Sequence, residues 1–217
     1  MRRRVPRRRV AQCSSSAVVG VRSGPEGRTT WTTTSPTTDD DVVALGNSVY
    51  FYAPVTRMSV LKLIKALKEA TAFCLQTHDY KDAIVRLYIH SNGGDAFAGL
   101  AAMDHIQLNP VSVVAIADGM VASAASFMLL AAKRRLALPH AYVRIHQLSL
   151  NGFDGKYAEL VDEMQNTHAM MLKIKTLYQE RTKMRAKRIE DILKQELDMD
   201  ADECVREGVV HEIVRAH

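Results

Sequence analysis

Cysteine is scarce in this chain, with three in 217 residues at Cys13, Cys74 and Cys204. The number is odd and no two have metal-ligand spacing, which argues against a disulfide framework and fits a reducing compartment. Cys74 falls on a helical pattern, where a buried, inert thiol is the plainer reading. Long apolar runs are also missing. The longest, Val121–Ala132, is interrupted by Ser123 and Ser126 and closed by Lys133-Arg134-Arg135, well short of the ~18 residues of a membrane span. No phosphate-cradling G-x-x-x-x-G-K-[ST] occurs, and no internal repeat. An excess of one charge is absent where it would matter. The net charge is +5, but residues 1–41 hold eight Arg against four acids, leaving 21 Lys/Arg against 20 Asp/Glu in the rest. That near-neutral remainder gives no argument for nucleic acid or membrane as a partner.

Apolar residues make up 47% and charged residues 24%, the balance of a soluble globular chain long enough for one domain with a core. The first forty residues stand apart. They are rich in Arg, Ser and Thr, show no hydrophobic period and should not fold alone. A disordered extension, an organelle transit peptide and a basic nucleic-acid arm all fit this composition. The division expected is an extension over 1–41 and a folded domain over 42–217, in the cytoplasm, or in a plastid or mitochondrion if the extension is a transit peptide.

From Val42 onward, strand and helix patterns alternate. A strand is expected at 47–55, a helix from 56 to 78 with Val60, Leu61, Ile64, Leu67, Ala70, Phe73 and Cys74 on its apolar face, and strands at 82–91 and 111–119. A short helix is expected at 96–109, a buried one after Ser123, a long one over 157–182 with Leu160, Val161, Met164, His168, Met171, Ile174 and Tyr178 on one side, and another over 186–197. Asp200 and Glu203 read as a capping box closed by Gly208, followed by a last strand. Such alternation argues an α/β fold with a largely parallel sheet and right-handed crossovers. Reactive groups in these sheets gather where strands end and helices begin.

Two joints qualify. "SNGG" ends the strand at 82–91, and "GMVASAAS" carries Ser123 from the next strand into the buried helix. A serine hydroxyl needs a base to take its proton and amides aimed at the developing oxyanion. His146, at the end of "YVRIHQ", is the candidate base. Gly94 and Ala124 are candidate amide donors, and Asp95 reads as a cap for the following helix. Each feature has a plain structural reading too: a tight turn, a small residue in a packing joint, a partly buried histidine. His105 and His168 sit on helix faces. His78, His90, His140 and His211 lie at element ends without a visible partner.

Taken in order, "YIHSNGGDAFAGLAAMDHI", "AIADGMVASAASFMLLAA", "LALPHAYVRIHQLSLNGFDGKYAEL" and "DADECVREGVVHEIV" resemble the ClpP family of serine peptidases, nearest in flavour to its viral and phage members. The likeness runs from about Val49 to Val214. It implies a ClpP/crotonase-like spiral of βαβ units with a protruding handle helix. Ser123 matches the nucleophile, His146 the general base, and Gly94 and Ala124 the oxyanion-hole amides. The family's acid is an Asp; counting back from Gly208 places Glu196 there, one methylene longer, with Asp198 two residues on. Asn92 replaces the usual Pro before the Gly pair. The resemblance further implies a homo-oligomer of stacked rings, unfolded polypeptide as substrate, a possible AAA+ ATPase partner that would hold the ATP, and no cofactor or metal in this chain. Two other readings stay open: a ring subunit that has lost its chemistry, and a crotonase-like acyl-CoA enzyme.

Overall fold

The computed structural model describes residues 41–77, 79, 82–150, 152 and 155–215. The expected extension, with Cys13, lies outside the described residues apart from Asp41, as does His78. The first element begins at Val42. Strands β1 (Val42–Leu45) and β2 (Ser48–Phe51) form a hairpin around Gly46 and Asn47. The single strand expected over 47–55 is thus shorter, and Val55 instead makes an isolated parallel bridge to Gly94. Next come α1 (Arg57–Thr77), β3 (Ile84–Ser91), α2 (Ala96–Gln107), β4 (Ser112–Ala122), α3 (Ala124–Ala131), β5 (Arg134–Ala137) and β6 (Tyr142–Arg144). The chain closes with α4 (Tyr157–Arg181), α5 (Ala186–Lys194), β7 (Asp198–Asp200), α6 (Ala201–Arg206) and β8 (Glu212–Ile213).

The sheet runs β1-β2-β3-β4-β5-β8, parallel from β2 onward. β4 is the longest strand and changes partner along its length. Val114–Ala117 pair with β5, whereas Met120–Ala122 pair with β6. The change coincides with a bulge: Ile89 lies opposite Ala117, but Ser91 lies opposite Val121. The His90 ring occupies this irregularity, with Nδ1 2.9 Å from the Asp118 carbonyl and the ring stacked on Tyr52. An extra length of chain in one strand bends it, and here the bend swings the end of β4 toward β6.

Every residue of α3 is buried, as expected of a helix apolar on all sides. On α1 the buried stripe is Val60, Leu63, Leu67, Ala70 and Cys74. Leu61 and Phe73, expected on that stripe, are exposed, because the sheet-facing side is centred on Leu63. On α4 only Ile174 and Tyr178 are buried; Tyr157 is 83% and Met164 62% exposed. The first half of α4 therefore leaves its apolar face uncovered in one chain, which suits a protruding helix. α5 stops at Lys194, three residues before the expected end, and β7 takes up Asp198–Asp200 against β6. Asp200 caps α6 by accepting the Glu203 amide, whereas the Glu203 carboxylate, expected to complete a capping box, accepts Arg188 instead. No helix among the described residues is long and apolar enough to cross a membrane.

One buried cation ties the C-terminal elements together. Arg135 is nearly inaccessible and donates Nε to the Val209 carbonyl and Nη2 to the carbonyls of Arg181 and Gly208, at 2.8–3.1 Å. Arg181 is the last residue of α4, where carbonyls lack intrahelical donors, and Gly208 and Val209 lie in the turn just after α6. The Arg135 amide donates to His211 Nδ1, a partner the sequence did not reveal. Replacing Arg135 by Leu strands the two buried carbonyls of Gly208 and Val209 and the part-buried one of Arg181, a cost of about 2–6 kcal/mol for the buried pair. The expected result is a thermal midpoint lower by roughly 5–15 °C, with Lys at this position recovering part of the loss, both read by calorimetry.

Candidate active site

Ser123 stands alone between β4 and α3, and its backbone is strained. Its φ of 54° and ψ of −127° make it the one non-glycine with positive φ among the described residues. Such a conformation costs on the order of 1–3 kcal/mol and persists only where neighbours enforce it. Here its amide donates to the Arg144 carbonyl at 2.8 Å, continuing the β4–β6 ladder by one residue. Its carbonyl receives the Ser126 amide at 2.9 Å, starting α3. The strand enters on one side and the helix leaves on the other, so the Ser123 side chain is turned out of both into a cleft of about 570 Å³.

The "SNGG" joint lies directly against this turn. A Cβ on Gly93 would stand 2.6 Å from the Ala122 carbonyl oxygen and 2.7 Å from Ser123 Cβ, so only glycine permits the approach. Gly94 is held by the bridge to Val55. Val55 donates to the Gly93 carbonyl and Asp95 donates to the Val55 carbonyl, both at 2.8 Å. That pattern leaves the Gly94 amide on the opposite side. Asp95 Oδ1 accepts the amides of Phe97 and Ala98, which makes it the cap of α2. The Ala124 amide, first in α3, has no intrahelical acceptor. Both Gly94 and Ala124 line the cleft, and neither amide is bonded to another described residue. Two unengaged N–H groups beside a hydroxyl can stabilise negative charge on an oxygen placed between them.

His146 lines the same cleft. It is placed by β6, which runs parallel to the end of β4, and by two bonds just beyond it. The Gln147 amide donates to the Leu193 carbonyl at 2.9 Å, and the Leu148 amide to Met171 Sδ at 3.3 Å. No hydrogen bond joins Ser123 Oγ to the ring among the described residues. The carboxylates are placed differently. Glu196 is exposed and lies outside the cleft lining, in the link from α5 to β7. Arg144 lies opposite Asp198 in the β6–β7 ladder, and two more residues of that register would set Glu196 opposite His146. The ladder stops first, as Gln147 turns to Leu193. Asp198 gives both carboxylate oxygens to the Arg144 guanidinium, at 2.7 and 2.9 Å. That pairing holds the Arg144 pKa above its ordinary value, and Glu196 adds a smaller effect of the same sign.

The structure thus gathers Ser123, His146, Gly94 and Ala124 into one cleft and leaves Glu196 and Asp198 outside its lining. Arg144, which both accepts the Ser123 amide and engages Asp198, was not marked by any motif. Its position one strand away from Ser123 becomes visible only once β6 is paired. Among the described residues no three His, Cys, Asp or Glu side chains are grouped as metal ligands. Strain at residue 123 is separable from chemistry. Ser123→Gly relieves the backbone and Ser123→Ala does not, while both remove the hydroxyl. The Gly variant is expected to be more stable than the Ala variant by about 1 kcal/mol, read as the difference in urea midpoints.

Known proteins share the sequence pattern and the fold. The sequence model of the Clp protease family matches residues 47–217. The chain is 35% identical over 133 residues to the ATP-dependent Clp protease proteolytic subunit 2 of Treponema denticola, covering 60% of this chain and 66% of that protein. It is 34% identical over 126 residues to a proteolytic subunit from Adiantum capillus-veneris, covering 57% and 63%, and 36% identical over 141 residues to subunit 1 of Mycobacterium leprae, covering 64% and 69%. The matched stretch spans a little under two thirds of the first of these relatives. A ClpP1 variant from Listeria monocytogenes superposes with a TM-score of 0.68 at 24% identity, over 79% of this chain and 92% of that one, which shows the same fold. With the strand–serine–helix joint, the glycine pair and the handle-like α4 in the matched region, the chain belongs to the Clp protease family.

Proposed function

We propose that this chain is a serine endopeptidase of the Clp proteolytic-subunit type, cleaving unfolded polypeptides inside a ring-shaped homo-oligomer. The observation that carries the reading is the strained Ser123, turned into a cleft that also holds His146 and two unengaged amides. In this mechanism His146 takes the proton of Ser123 as the hydroxyl attacks a peptide carbonyl. The oxygen of the tetrahedral intermediate lies between the Gly94 and Ala124 amides. His146 returns its proton to the leaving amine, and water, activated by the same imidazole, releases the acyl group. Glu196 is the residue proposed to orient His146, supported by the β6–β7 register and by family position. Asp198 is otherwise occupied with Arg144.

The uncovered apolar side of α4 supports ring assembly, since a helix of this length with Tyr157, Leu160 and Met164 exposed gains by packing on a second copy. An AAA+ ATPase is the partner proposed to feed such a ring, consistent with the names of the matched relatives. The family assignment favours peptide hydrolysis over acyl-CoA chemistry. A non-catalytic ring subunit is the second reading, favoured by the missing Ser123–His146 hydrogen bond and by Glu196 lying outside the cleft.

Steady-state cleavage of a small fluorogenic peptide separates the two. The expected outcome is measurable turnover by the unaltered chain and loss of about 10⁴-fold or more in Ser123→Ala. Of Glu196→Gln and Asp198→Asn, the first is expected to lose more kcat. Absence of turnover in the unaltered, assembled protein would favour the non-catalytic reading, and a larger loss in Asp198→Asn would move the orienting role to that residue.

A further inference from the structure

Ser126 is fully buried one turn into α3, and its hydroxyl makes two hydrogen bonds. One runs 2.6 Å to the Ser123 carbonyl oxygen and the other 2.7 Å to the Tyr178 hydroxyl on α4. The carbonyl can only accept, so the single Ser126 proton goes to it. Ser126 Oγ therefore receives the proton of Tyr178, and the direction of the chain is fixed. Tyr178 is itself 1% exposed, with its ring tilted against Phe127. Burial pushes its pKa above the ordinary phenol range, so it stays a donor.

The Ser123 carbonyl and the Ala124 amide belong to one trans peptide plane and point in opposite directions. Two donors, the Ser126 amide and the Ser126 hydroxyl, hold that carbonyl toward α3. The Ala124 N–H is thereby turned away from the helix. A peptide whose carbonyl accepts strong hydrogen bonds also has a more polarised N–H, because bonds in series reinforce one another. A serine bonding back to the carbonyl three residues earlier is common at helix starts. A second buried hydroxyl feeding that serine from a separate helix is not needed for capping.

We propose that Ser126 and Tyr178 are positioning residues for the oxyanion hole, acting as a relay from α4 through the Ser123 carbonyl to the Ala124 amide. This rests on the hydrolase reading above, in which Ala124 is an oxyanion donor. Ile174 and Tyr178 bring α4 to the wall of the cleft, and the relay couples the handle-bearing helix to the Ala124 amide through Ser126. It is also a device of residue types the motif does not mark, since position 126 lies inside what reads as an ordinary apolar helix.

The test uses Ser126→Ala, Tyr178→Phe, Ser126→Thr and the Ser126→Ala/Tyr178→Phe pair in the full chain. Peptide turnover is measured together with the Ala124 amide resonance in protein labelled with ¹⁵N-alanine. Ser126→Ala is expected to lower kcat about tenfold, less than the 10²–10³ for losing a whole donor, with KM changed by less than about twofold. Tyr178→Phe is expected to lower it about threefold, and Ser126→Thr, which keeps the hydroxyl, to retain more activity than Ser126→Ala. The double variant should be no worse than Ser126→Ala alone, because Tyr178 acts only through Ser126. The Ala124 amide proton should move upfield in Ser126→Ala and, by less, in Tyr178→Phe. An unmoved Ala124 resonance, or losses that multiply in the double variant, would overturn the relay. If the unaltered chain turns over no peptide, the hydrolase reading fails and the Ala124 resonance alone decides the relay. If Ser126→Ala does not fold, the same resonance in Tyr178→Phe decides it.

Discussion

The conformation of Ser123 is the constraint on which the site depends. A hydroxyl at the junction of a parallel strand and a buried helix faces a cleft only if the chain reverses at one residue, and a non-glycine residue does this at a cost. The surroundings enforce it from both sides. The Arg144 carbonyl fixes the peptide before Ser123, and two donors from Ser126 fix the peptide after it. Gly93, lacking a side chain, lets the neighbouring loop close against the turn. Together these restraints keep the hydroxyl and the Ala124 amide aimed at the same side of the turn.

The sheet is built to supply that enforcement. β4 is long enough to pair with β5 along its first part and β6 along its last, and the bulge beside His90 marks the change. The same β6 continues into His146. One strand therefore sets both the Ser123 amide bond and the approach of the imidazole, so the two groups are positioned by a single piece of ladder rather than by separate loops. The β6–β7 pairing, with Arg144 clamped on Asp198, extends this rigidity toward the chain around Glu196.

Much of this was legible in the sequence, for identifiable reasons. The strand–helix alternation, the glycine pair, the Asp95 and Asp200 caps and the small-residue run at 119–127 are local signals, and each appears where its spacing places it. Ser123, His146, Gly94 and Ala124 lie at element ends, where an α/β sheet concentrates its chemistry, and the cleft gathers all four. What was not legible depends on distant partners. β1 lies before the single strand read at 47–55 and shows no local strand signal of its own, and β7 has only three residues, too few for a period to show. Leu61 and Phe73 fit the helical spacing of α1, but the helix faces the sheet along Leu63. Arg135 as a tie for two helix ends, Arg144 as an acceptor for Ser123, and Tyr178 as a donor to Ser126 all act across 50 residues or so of chain or across the sheet, beyond the reach of any local pattern. Glu196 falls between: family position and strand register point to it, yet its side chain stands outside the cleft.

The central claim is that the strained serine is a nucleophile activated by its setting. Reaction of the intact protein with a fluorophosphonate, followed by digestion and mass mapping of the modified peptide, tests it most directly. The account predicts a single adduct on Ser123, lost when His146 is replaced by Ala. No adduct on the assembled protein, or one carried by a different serine while Ser123 stays unmodified, would contradict it.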